Sequence, residues 1–278
     1  MPPIAIAAAL ASALIHASWN AALKGGPDTD RLFDAFCIAL GSLLIWVVVA
    51  LIFGTPPAAA WPYIAASTAV HLVYWFALFR GYGVGDMSHV YTLARGSAPL
   101  LVALGAILAV QEVPPLLWLA GIVLVSLGVL AVGASPGAPM RATLWALTTG
   151  VSIAAYSLIE ALGARVSGDA LVYVAWRTGT TGVLMAAFVL WRRGPSVMTA
   201  PPLTLLGGSA IGVVSFLGFV LVVWAQTIAP IAPVTALRET SVVFGAFIAF
   251  LVLRERLGLR RWIGAAIVTV GAGLIAFG

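Results

Sequence analysis

The apolar residues of this chain do not alternate as in a strand; they come in blocks. Ten blocks stand out, at 3–23, 32–53, 61–80, 88–110, 115–133, 141–162, 170–191, 203–227, 232–253 and 259–277. About 20 apolar residues are what a helix needs to cross a bilayer. The breaks are short and built from turn residues: "KGGPDTD", "GTPPAAA", "GYGVGD", "QEVPP", "GASPGAP", "RVSGD", "RRGPSVMTAPP", "IAP" and "RERLG". None is long enough to hold a soluble domain, so whatever the chain does it does inside or across the membrane. Composition agrees. Of 278 residues, 62% are hydrophobic and 8% charged, where a soluble domain carries about 25% charge. The expected fold is an all-α membrane protein with ten transmembrane helices.

A second pattern lies within the first. Residues 90–133 align without a gap on 233–276, at a shift of 143. The alignment pairs Thr92 with Thr235, Arg95 with Arg238, Glu112 with Glu255, Gly121 with Gly264 and Gly128 with Gly271. Matches of Ala, Leu and Val are cheap in apolar sequence; matches of Arg and Glu are not. The chain therefore reads as two five-helix repeats, 1–135 and 139–278. An odd number of spans per repeat turns the second upside down, and a site then falls near the midplane between the halves.

Charge orients this scheme. With each loop numbered by the span it follows, the odd loops hold Lys24, Arg31, Arg80, Arg141, Arg192, Arg193, Arg254, Arg256, Arg260 and Arg261; the even loops hold only Arg165. The positive-inside rule makes the odd loops cytoplasmic and both termini periplasmic. The expected location is a bacterial inner membrane. No basic residue precedes Lys24, so the first segment reads as a retained span rather than a cleaved signal. The net charge of +5 does not imply nucleic acid, because no basic stripe interleaves with aromatics. The single cysteine, Cys37, allows no intrachain disulfide.

Ionisable groups inside spans are costly and face a cavity or a partner. Arg95 and Arg238 occupy matched positions, at mirrored depths either side of the midplane. They can hold an anion or bridge a gate, or each can pair with a neighbour such as Glu239. Arg177, beside Trp176, can line the path or pair structurally. Glu160 is either a titrating group with Tyr156 one turn deeper or a solvated helix end. His71, Tyr74, Trp75 and Leu78 share one helix face, a polar-aromatic mix expected to line a cavity. In "ALIHASWNAALKGG", His16, Trp19 and Asn20 share a side and read as a wall of the cytoplasmic half of a path. Trp224 is a further aromatic candidate. Trp46, Trp61, Trp118, Trp191 and Trp262 read as interfacial anchors. Metal binding is not expected, since the two histidines in spans one and three have no Cys or carboxylate at ligand spacing. The glycines of "GYGVG" follow no strand and are not a nucleotide fingerprint.

At "ALFRGYGVGDMSHVYTLARGSAPLLVAL" and "QEVPPLLWLAGIVLVSLGVL" the chain resembles the EamA-type branch of the drug/metabolite transporter superfamily. Pro99 stands at the family's mid-helix proline and Glu112 at its turn glutamate. The second copy carries Glu255 but has Val242 where the first has Pro99. The resemblance implies a ten-span inverted-repeat carrier of the aromatic amino-acid exporter kind, not an enzyme, working by alternating access. Arginine suits a carboxylate and aromatic faces suit an ammonium, so amino acids are the leading substrate class. A multidrug, sugar or nucleotide-like carrier is the alternative on the same scaffold. A channel or an intramembrane enzyme fits less well, since no catalytic motif is present. The expected partners are a small-molecule substrate and the bilayer, with no cofactor, no nucleic acid and a monomer as the unit. The path is expected between spans 1, 3, 4, 6, 8 and 9.

Overall fold

The computed structural model describes residues 1–25, 31–133, 137–252, 254 and 257–278. The side chain of Lys24, the "DTD" of 28–30, Glu255 and Arg256 lie outside the described residues. Among those described there are helices and no strands: α1 (Pro3–Gly25), α2 (Arg31–Phe53), α3 (Trp61–Val84), α4 (Met87–Gly105), α5 (Leu116–Gly133), α6 (Met140–Ser167), α7 (Ala170–Arg193), α8 (Pro202–Ile228), α9 (Ile231–Arg238), α10 (Ser241–Leu251) and α11 (Leu259–Phe277). Among the described residues nine segments are long and apolar enough to cross a membrane. The tenth, α7, is as long as the rest but carries three arginines and a threonine cluster. The outward face is greasy, with Leu203 and Leu51 more than 80% exposed. This is a multi-pass membrane protein.

The sequence blocks become single helices except the ninth, which is two. At Glu239 and Thr240 the backbone amides bond to Ala236 and Leu237, three residues back rather than four. The Thr240 hydroxyl also donates to the Leu237 carbonyl. Hydropathy cannot register that change of partner. The fourth span stays continuous through Pro99 and ends in a π turn, Ala106–Val110, closed by Gln111 in the left-handed region (φ 58°). The sixth runs to Ser167, which leaves Glu160 well inside the helix rather than at a solvated end.

Contacts sort the loops onto two faces. Arg165, at the end of α6, pairs with Glu112 after span four at 2.6 Å. It also donates to the carbonyls of Gln226 and Ala229 at the end of α8. Glu112 accepts from the Ile231 amide at the start of α9. Trp176 near the start of α7 donates to the Gly54 carbonyl after α2. All of these belong to even loops. On the opposite face His89 meets Thr143, at the starts of α4 and α6, and the Arg31 guanidinium lies over Tyr82.

The inversion is visible where α5 packs on α11. A Cβ added to Gly121 would lie 2.7 Å from the Gly271 carbonyl oxygen, and one on Gly128 would lie 2.8 Å from that of Gly264. The contact is reciprocal: Gly121 and Gly264 are repeat equivalents, as are Gly128 and Gly271. Position rises along one helix as it falls along the other, so the matched helices run antiparallel. Glycine is what lets the two backbones approach this closely. The helix pairs elsewhere follow the same exchange. As α1 packs on α8, so α6 packs on α3; α2 packs on its own equivalent, α7.

Candidate functional site

A cavity of about 210 Å³ lies at the centre. Each wall is one face of a helix. Ser12, His16 and Trp19 come from α1; Ala35, Ile38, Ala39 and Ser42 from α2; His71, Tyr74 and Trp75 from α3. Arg95 comes from α4, Tyr156 from α6, and Arg177, Thr178, Thr181, Gly182 and Met185 from α7. Ser215, Phe216, Gly218 and Phe219 of α8 and Arg238 of α9 complete it. The i, i+3, i+4, i+7 spacing on α2 is the period of a helix face. Among the described residues α5 and α11 contribute nothing to the lining.

Of the residues singled out from the sequence, His16, Trp19, His71, Tyr74, Trp75, Arg95, Tyr156, Arg177 and Arg238 meet at this cavity. Four do not line it. Asn20 turns its amide back to the His16 carbonyl at 2.7 Å. Leu78 is buried against Val90, Ala142 and Ala146. Trp224 packs on the main hydrophobic core. Glu160 lies behind the wall, facing a second chamber of about 10 Å³. The lining also departs from the expected set of spans, because α2 and α7 take part. The α2 wall is built mainly of Ala, Ile and Ser, which look like ordinary span residues, so no polar signal marked it. Phe219 was missed for the same reason. The usable clue was its spacing of i, i+4 from Ser215 in an otherwise aliphatic run.

The aromatic wall is organised by ring contacts. His71 stacks on Tyr156, centroids 4.2 Å apart, and Tyr74 stands perpendicular to Tyr156. The His71 Nδ1 lies 2.9 Å from the Ser67 carbonyl oxygen. A carbonyl only accepts, so in this contact Nδ1 carries a proton. His16 and Trp19 meet edge to face at 5.1 Å. The tryptophans read as anchors differ among themselves: Trp46 and Trp61 both pack edge to face on Trp176.

Three arginines face the cavity, and two are held. The Arg177 Nε lies 2.7 Å from Glu160 Oε1, which also accepts from the Ser67 hydroxyl at 2.8 Å. The Arg95 Nε lies 2.9 Å from Glu239 Oε2. In both pairs the Nε–H is not aligned with the oxygen, so these are charge contacts rather than aligned hydrogen bonds. Both carboxylates are 1% exposed. Arg238 differs. Among the described residues it has no carboxylate at ion-pair distance, and its Nε is buried without a hydrogen-bond partner. Its guanidinium lies 5.7 Å from the Phe219 ring centroid, with that of Arg177 at 4.4 Å from the same ring. Arg238, Tyr156 and Phe219 line both the main cavity and the small chamber beyond it.

Helices paired by an inverted repeat around a central cavity with ionisable groups at membrane depth define the scaffold of a small-molecule carrier. Residues 140–277 match the EamA-like transporter family. Through that half the chain belongs to the EamA-like transporters, and so to the drug/metabolite transporter superfamily, whose members are small-molecule transporters and not enzymes. A solved crystal structure of another protein superposes with a TM-score of 0.78 at 17% identity, over 98% of this chain and 97% of that one. It shares the fold. No curated protein matches this chain in sequence.

Proposed function

We propose that the protein exports small carboxylate-bearing metabolites, amino acids foremost, across a bacterial inner membrane by alternating access between its halves, 1–135 and 139–278. The observation that carries this is Arg238, a guanidinium in a membrane cavity with no carboxylate at ion-pair distance among the described residues. A charge at membrane depth without a counterion is costly, and a substrate carboxylate supplies one with bidentate geometry. The rings of His71, Tyr74, Tyr156 and Trp19 offer faces for an apolar or aromatic side chain. Basic loop residues orient the odd loops to the cytoplasm and the termini to the periplasm. The cavity includes Trp19 and Ala35, near the odd-loop ends of α1 and α2, while the Arg165–Glu112 contacts close the even-loop face. Both features support an inward-facing state.

The test is uptake of labelled phenylalanine into proteoliposomes holding the purified protein. Saturable uptake is expected, with loss in Arg238→Gln despite normal insertion. Absence of saturable flux for any amino acid would remove amino acids from the reading.

A further inference from the structure

The repeat that pairs Arg95 with Arg238 also pairs Gly96 with Glu239. Glu239 reaches across to Arg95. A symmetric scaffold would return the favour, with a carboxylate at position 96 reaching Arg238. That position is glycine, pressed against Leu130 so closely that a Cβ would lie 2.7 Å from its side chain. Between the matched arginines, therefore, Arg95 receives a carboxylate from the second half and Arg238 receives none from the first.

The consequence is a charge imbalance at the site. Three arginines face the cavity. Among the described residues the carboxylates in contact with them are Glu160 and Glu239, each held by one of them and absent from the main cavity's lining. Among the described residues no acidic side chain lines that cavity. Its other titratable groups are His16, His71, Tyr74 and Tyr156, none of which is an anion when it carries its usual proton. One positive charge is left over, and no group is free to accept an ammonium as a salt bridge.

Resting on the carrier reading above, we propose that the substrate class is recognised as an aromatic or apolar monocarboxylate, and that an α-amino group adds nothing to its recognition. A carboxylate balances Arg238. A zwitterion brings the same carboxylate together with a cation, which meets ring faces and the hydroxyls of Ser12, Ser42, Thr178, Thr181 and Ser215 but no lining carboxylate among the described residues. Compounds with the carboxylate and ring but without the amine balance the leftover charge; those with the amine and ring but without the carboxylate add a second unbalanced positive charge.

The experiment is competition against labelled phenylalanine uptake in proteoliposomes of the full chain, with unlabelled phenylalanine, 3-phenylpropanoate and phenethylamine. The expected result is inhibition by 3-phenylpropanoate at a concentration no higher than about that of phenylalanine, and by phenethylamine only at about tenfold more or not at all. Phenylalanine outcompeting 3-phenylpropanoate by about tenfold or more overturns the proposal while leaving the carrier reading intact, because it assigns the amine a partner of its own. If phenylalanine is not taken up, labelled 3-phenylpropanoate replaces it. Saturable uptake then supports the proposal and removes amino acids from the reading, and no saturable uptake of either overturns both.

Discussion

The fourth span of each half starts from the same template and solves the same backbone problem differently. In α4 the residue four beyond Arg95 is Pro99, which has no amide to give the Arg95 carbonyl. Four beyond Arg238 stands Val242, which has an amide but sends it to Glu239 instead, at 3.0 Å. Both arginines thus lose the regular helical donor to their own carbonyl, one by covalent chemistry and one by a shift of hydrogen-bond register. The first solution keeps one helix. The second splits it into α9 and α10 and places Glu239 at the junction. The side chains then part company, because Arg95 is locked to that glutamate while Arg238 is left facing the cavity. Equivalent residues in a repeat need not have equivalent surroundings: both arginines line the cavity, but only Arg95 is held by a carboxylate among the described residues.

Substitutions can break or sharpen this contrast. The largest effect is expected from Arg95→Gln, which strands Glu239 in the interior. Removing one partner of a buried ion pair costs about 3–5 kcal/mol, read as a lowered Tm in detergent. The double variant Arg95→Gln, Glu239→Gln should recover most of that loss. Next comes Arg238→Gln. Loss of a charged partner is worth ~2 kcal/mol, about 30-fold in transport efficiency, with Tm unchanged or raised because an unpaired charge has gone. A Tm drop matching that of Arg95→Gln would erase the distinction between the two arginines. Glu112→Gln weakens the half-exposed contact with Arg165 and the Ile231 amide by about 1 kcal/mol. Faster amide hydrogen exchange at the α8–α9 junction is the readout. The smallest change belongs to Val242→Pro, which installs the first copy's device in the second. It removes one hydrogen bond in the first turn of α10, where proline is tolerated, and should cost no more than about 1 kcal/mol. Collapse of expression would mean that the Val242 amide does more than close the turn.

The scaffold was legible because its signals are long or costly. A block of twenty apolar residues has few alternatives, and a matched Arg and Glu inside such blocks is improbable by chance. Nine of the thirteen candidate side chains reach one cavity for a related reason: polar and aromatic groups in a span need somewhere to go. What stayed hidden was relational. Glu239 was visible as a neighbour for an arginine, but nothing in the linear order says that it serves Arg95 and not the adjacent Arg238. Nor does a Gly at 96 announce that a partner is missing across the interface. Leu78 had the right spacing on α3, yet it lies where α6 has already closed over the helix, against Ala142 and Ala146. The α2 wall of Ala35, Ile38, Ala39 and Ser42 was invisible because its residues are ordinary lipid-span residues, and only the neighbours make it a lining.

The glycine contact between α5 and α11 has a mechanical meaning. Four glycines meet there main chain to main chain, flanked by the side chains of Val125, Val132, Val268 and Ile275, and among the described residues neither helix lines the cavity. The spacing of the two helices is set there by backbone rather than by side-chain length, so a single added methyl would force them apart. Because the contact is reciprocal, that holds at all four positions alike, from either helix and at both crossings, Gly121–Gly271 and Gly128–Gly264.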